Sequence, residues 1–124
     1  MNKLIALYGS WVVAFGSGCA TIPSGYNPNL QRNPKAQRSL AQCLIDKGVQ
    51  LYVQTGCEHC DTQKQKLGTA WKVLEPHTFD CIYDYDECKR AGIRYIPTWD
   101  LPSGRETEIL ELEELADKVD CDVE

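Results

Sequence analysis

The alternation of helix-like and strand-like segments predicts an α/β domain with the order α-β-α-β-α-β-β-α. Three observations carry that prediction. "VQLYVQ" (49–54) alternates apolar and polar residues of β-forming types and stands between two stretches of helical pattern. "PSGR" separates the strand-like runs "PTWDL" and "ETEIL", which is the layout of a hairpin. "LEELADKV" then closes the chain with a helical pattern.

Taken in order, the chain opens with "MNKLIALYGSWVVAFGSGCATIPSG". Lys3 precedes an apolar run from Leu4 to Phe15, and small residues follow. That is the layout of an export signal over residues 1–20, with an apolar run too short to span a bilayer comfortably. "GSGCAT" resembles a bacterial lipoprotein signal, in which the cysteine becomes the lipid-bearing first residue of the mature chain. The resemblance assigns lipidation to Cys19 and places the protein on the periplasmic side of a bacterial membrane, in contact with it through the N-terminus. Gly16 departs from the leucine usual three positions before that cysteine. Plain cleavage, an uncleaved anchor and a buried N-terminal segment are the alternatives.

"TIPSGYNPNLQRNPK" (21–35) carries three prolines, two of them in Asn-Pro pairs, and reads as a flexible linker. The compact domain is expected over residues 36–124, beginning near Pro34. "KAQRSLAQCLIDKG" is a helix with Leu40, Cys43, Leu44 and Lys47 on one stripe and Gly48 stopping it. After the 49–54 strand, a second helix runs from Glu58 to Trp71. "HTFDCIYD" (77–84) is strand-like, "YDECKRAG" is a short helix closed by Gly92, and the hairpin and last helix follow. The sequence has no internal repeat and no low-complexity tract.

A chain of 124 residues suits one domain. A net charge of -5 argues against nucleic acid as a partner, because phosphate binding wants clustered cations. Acidic residues concentrate from Glu106 to Glu124, which reads as a solvated helix face and tail or as a docking surface for a basic partner.

Seven cysteines in so short a chain point either to a metal protein or to an oxidising compartment. The export signal favours the second. Without Cys19, six remain: Cys43, Cys57, Cys60, Cys81, Cys88 and Cys121.

Cys57 and Cys60, in "QTGCEHCDTQKQK", follow a strand and open a helix. Residues three apart share a helix face, so the two sulfurs can reach each other. Cys57 falls where the first helical N–H groups lack intrahelical partners, and those donors with the dipole favour a nucleophilic thiolate. Cys60, one turn deeper, suits the resolution of a mixed disulfide. The spacing alone is also that of a zinc ribbon.

Further along, "GIRYIPTW" resembles the Gly-Ile-Arg-x-Ile-Pro-Thr stretch of thioredoxin-fold proteins. More narrowly, "AQCLIDKGVQLYVQTGCEHCDTQKQKLG", "CKRAGIRYIPTW" and "LEELAD" together resemble the thioredoxin-like domain fused to bacterial vitamin K epoxide reductase homologues, in colinear order over residues 36–119. The resemblance implies a central mixed β-sheet of about four strands flanked by helices. It also implies a thiol-disulfide oxidoreductase acting on thiols and disulfides of exported client proteins, with Cys57 and Cys60 as the exchanging pair. A cis Pro97 would pack against their sulfurs, and Ile96, Pro97 and Thr98 would contact the client. No cofactor is implied, because the Cys57–Cys60 disulfide is itself the redox group. The membrane bundle of that family has no counterpart here, so a separate membrane or soluble redox partner is expected.

The chain departs from the pattern in places. Gly56 stands where many relatives carry tryptophan, and Glu58 where proline is common. The buried acid of thioredoxins would fall on Leu51, which argues against a housekeeping reductase. No glutathione-binding pattern is present.

His59, between the cysteines, can give a hydrogen bond or positive charge to the Cys57 thiolate, which would make the couple more oxidising. Glu58 pushes the opposite way. Alternatively, His59 is a surface residue of the first turn and Glu58 faces water. Cys81 and Cys88 bracket "IYDYDE" and are expected to form a structural disulfide, with a second redox pair, free thiols or metal ligation as alternatives. Cys43 and Cys121 are then left to pair by arithmetic. A copper or zinc module built from Cys57, His59, Cys60 and a second pair is a competing reading, but the spacings do not make paired knuckles. A redox-inert interaction domain is another. Trp71 reads as core, whereas Tyr95 and Trp99 flank the proline loop, where packing and client contact are both open.

Overall fold

The computed structural model describes residues 30–122. The expected export signal and Cys19 lie outside the described residues. Helix α1 (Pro34–Asp46) begins where its sequence allows a clean start. Pro34 occupies the first turn, and the Asn33 side chain accepts the Ala36 N–H at 3.1 Å. Its inner face is Ala36, Gln37, Leu40, Ala41 and Leu44.

Packing starts earlier than the expected boundary at residue 36. Leu30–Arg32 forms one 3-10 turn, and Leu30 is fully buried. Gln37 Nε2 donates to the carbonyls of Leu30 and Gln31 at 3.1 and 3.0 Å. Residues 30–35 therefore belong to the packed unit rather than to a linker. The second Asn-Pro pair, Asn33-Pro34, is a helix start and not a linker turn.

Four short strands form one mixed sheet: β1 (Gln50–Val53), β2 (Phe79–Asp80), β3 (Thr98–Leu101) and β4 (Gly104–Glu106), in the order β2-β1-β3-β4. β1 runs parallel to β2, with Tyr52 opposite Phe79, and antiparallel to β3, with Leu51 opposite Trp99. β3 and β4 are antiparallel, with Trp99 opposite Glu106. Leu51, Val53 and Trp99 from the sheet meet Leu40, Leu44, Leu67, Leu74, Leu112 and Leu115 from the helices in one core. Each such side chain, fully buried, contributes about 1.5–3 kcal/mol.

The helix expected from Glu58 to Trp71 is two. α2 (Glu58–Leu67) and α3 (Thr69–Leu74) meet at Gly68, whose φ of 57° and ψ of -129° break the helix. A Cβ at Gly68 would lie 2.9 Å from Gln37 Oε1, the oxygen that accepts the Thr69 N–H at 2.9 Å. The break lets α3 pack along α1. The strand expected over 77–84 also shortens. Past β2, the Asp80 carbonyl accepts the N–H groups of Tyr83 and Asp84, and its carboxylate accepts that of Ile82, so the chain turns. α4 (Tyr85–Arg90) follows, and α5 (Leu112–Lys118) starts on a capping box between Glu111 and Glu114. No helix among the described residues is long and apolar enough to cross a membrane.

Candidate dithiol site

The site forms where β1 gives way to α2. Gly56 takes a φ of 88° in the connecting turn, a conformation that a side chain would oppose. The Cys57 N–H donates to the Gln54 carbonyl at 3.1 Å. Cys57 is the N-cap of α2, and its Sγ accepts the Cys60 N–H at 3.1 Å. A sulfur thus does the work usually given to a serine or aspartate oxygen. Negative charge on that sulfur is met by a backbone donor and by the positive end of the helix.

Cys57 and Cys60 are both free, and they differ in access. Cys57 is half-buried, whereas Cys60 has no exposed surface. Burial first, and then the hydrogen bond and charge of Cys57, push the Cys60 thiol up to about 12, against smaller opposing effects from the Gln54 backbone and Lys64. One sulfur is available to a partner while the other is held back as a neutral thiol. Among the described residues no group of three or more His, Cys, Asp or Glu side chains is placed to hold a metal ion.

Glu58 and His59 occupy the first turn of α2 and are exposed. His59 lines a cavity of ≈ 240 Å³ with Ile96, Pro97, Thr107, Glu108 and Ile109. The Ile96–Pro97 peptide bond is cis, and Pro97 is buried. Thr98, expected to contact a client, is only 2% exposed, and its hydroxyl donates to the Tyr95 carbonyl within the same loop. Trp99 is fully buried and belongs to the core, whereas Tyr95 is 67% exposed. The two remaining cysteine pairs are bridged: Cys81 to Cys88 with Cα atoms 5.6 Å apart, and Cys43 to Cys121 with Cα atoms 6.1 Å apart.

One organising residue escaped the sequence reading. Gln63 is fully buried on α2. Its Oε1 accepts the Trp99 indole N–H at 3.0 Å and the Leu110 N–H at 2.8 Å, and its Nε2 donates to the Leu110 carbonyl at 2.9 Å. That amide ties the helix bearing the cysteines and His59 to the strand that follows Pro97 and to Leu110, which follows Ile109, so it joins the elements next to the lining of the 240 Å³ cavity. A polar residue three positions after Cys60, on the buried face of α2, was the available signal. No family model matches the chain, and no curated protein matches it.

Proposed function

We propose that this chain is a thiol-disulfide oxidoreductase of thioredoxin-like fold, resembling the thioredoxin-like domain of bacterial vitamin K epoxide reductase homologues. The observation that carries the reading is the asymmetric dithiol: a half-buried Cys57 sulfur held by the Cys60 N–H, over a buried Cys60 thiol. The sheet order β2-β1-β3-β4, with β1 and β2 parallel, is compatible with that fold. The cavity shared by His59, Ile96 and Pro97 supports docking of a client segment beside the cysteines.

In the reducing direction the Cys57 thiolate attacks one sulfur of a client disulfide. That S–S bond breaks, a Cys57–client disulfide forms, and the other client sulfur leaves as a thiolate that takes a proton from water. Cys60 then gives its proton to solvent and attacks Cys57 Sγ. The Cys57–Cys60 disulfide forms, the second client thiolate leaves, and two electrons have passed to the client. Oxidation of a client dithiol runs the same steps backwards. A separate redox protein resets the pair. The reading places the reaction on the periplasmic side of a membrane, with an acylated Cys19 as part of the tether. A single acyl chain anchors only marginally.

Insulin reduction and oxidation of a reduced client, each with the Cys57→Ser variant, test the reading. Turnover should fall on the order of a thousandfold in the variant. Full retention of turnover would falsify it, and zinc or copper binding without turnover would favour a metal module. The Cys57–Cys60 potential, set against about -270 and -120 mV for reducing and oxidising relatives of this chemistry, assigns the direction of electron flow.

A further inference from the structure

A larger cavity, of ≈ 370 Å³, shares Ile96 with the His59 cavity and is lined by Gln54, the Cys81–Cys88 bridge, Tyr85, Lys89, Ile93 and Arg94. Gln54 places it one backbone hydrogen bond from Cys57. Ile96 lines both cavities. An extended segment lying along Ile96 and Pro97 would therefore pass both, and its alternate side chains, about 7 Å apart, would reach into them.

The two cavities differ in charge. Lys89 and Arg94 are the charged residues lining the larger cavity, which no carboxylate lines, whereas Glu108 lines the smaller one. Neighbouring cations are neutralised: Arg90 pairs with Glu87 at 2.7 Å, and Arg105 lies 3.6 Å from Asp100 and donates to the Ala91 carbonyl. Lys89 and Arg94 form no ion pair with another described residue and stand exposed. Of the nearby acids, Asp86 is exposed and does not line the cavity, and two others are engaged elsewhere. Glu87 holds Arg90, and the Asp84 carboxylate accepts the Asp80 N–H at 3.1 Å. In a chain of net charge -5, a cavity with two unpaired cations over an apolar floor of Ile93 and Ile96 is a local exception.

We propose that this cavity is a specificity pocket for an acidic side chain of the client, presented next but one to the reacting cysteine. The carboxylate meets Lys89 and Arg94, while its methylenes lie against Ile93 and the Tyr85 ring. The Cys81–Cys88 bridge holds the loop that forms the outer wall. The inference rests on the client-docking reading above and adds the class of segment that is preferred.

The test uses the full chain and two labelled peptides that differ only in Asp or Lys at that position. Serine replaces their cysteine, so that binding is read without exchange. Fluorescence anisotropy should show the Asp peptide binding about tenfold more tightly at low salt, with the preference shrinking as salt is raised. The Lys89→Glu, Arg94→Glu double variant should invert the preference, and the neutral Lys89→Gln, Arg94→Gln pair should erase it. Equal affinity of the unvaried protein for the two peptides, binding of neither, or a preference that survives charge reversal would overturn the proposal. Loss of the oxidoreductase reading would appear separately, as absent turnover of a neutral small disulfide, and leaves this binding comparison intact.

Discussion

Cys57 stands at the first turn of α2 with a half-exposed sulfur, whereas Cys121, near the end of the chain, is 2% exposed and bridged to Cys43. Both regions lean on the same hydrophobic core. The difference is in what surrounds each sulfur. Cys57 caps the start of a helix with its sulfur partly open to solvent and accepting the Cys60 N–H, so it is free to meet another molecule. Cys43 and Cys121 fasten the end of α1 to the segment after α5 across 78 residues of sequence, so their environment favours permanence. Residue type is common to both. Helix position and access separate the free sulfur from the staple.

The comparison can be broken most severely at the staple. Replacing Cys43 and Cys121 together by serine should lower stability by about 4 kcal/mol, because the closed loop is long. Disulfide exchange by the folded fraction should persist. Cys57→Ser should do the reverse. Serine is itself a good N-cap, so chemical denaturation should move by less than about 1 kcal/mol while exchange disappears. A large stability loss in Cys57→Ser would show that the site region also acts as a staple.

Gln63 sharpens the comparison from the side of the site. Gln63→Leu leaves the Trp99 indole N–H and the Leu110 N–H without their acceptor, which should cost about 3 kcal/mol. If Gln63 positions the cavity walls, the same variant should raise KM for a peptide client more than it changes the rate with a small disulfide. Equal effects on the two substrates would reduce Gln63 to a structural role.

The smallest effect near neutrality is that of Cys60. Its thiol is raised from an ordinary value near 9.0 to about 12 in the folded reduced protein. Above 9 the unfolded chain loses that proton while the folded chain keeps it, so stability is whole below about 9 and falls as pH rises toward 12. Denaturant titrations of the reduced protein should show this decline, and Cys60→Ala should flatten it. An unchanged slope in Cys60→Ala would assign the decline to other groups. Within the native reduced protein at neutral pH, an alkylating reagent should label Cys57 and spare the buried Cys60.

The sequence by itself determined the α/β class, the places of α1, β1 and α5 and the nearness of Cys57 to Cys60, because periodicity and helix spacing are local properties. The unusual role of Asn33-Pro34 was written in the same residues but hidden by their resemblance to turn signals. Tertiary structure decided what depends on distant partners. Gly68 breaks the helix to admit the Gln37 amide from α1. The run "ETEIL" leaves the sheet after Glu106, and the backbone N–H and carbonyl of Leu110 go to Gln63 rather than to a strand. Cys43 finds Cys121, a pairing the sequence could reach only as a remainder. Lys89 and Arg94, unremarkable in sequence, come to line one cavity because α4 and the proline loop fold against each other. Contacts between residues far apart in the chain leave no periodic trace, so only the folded chain could supply them.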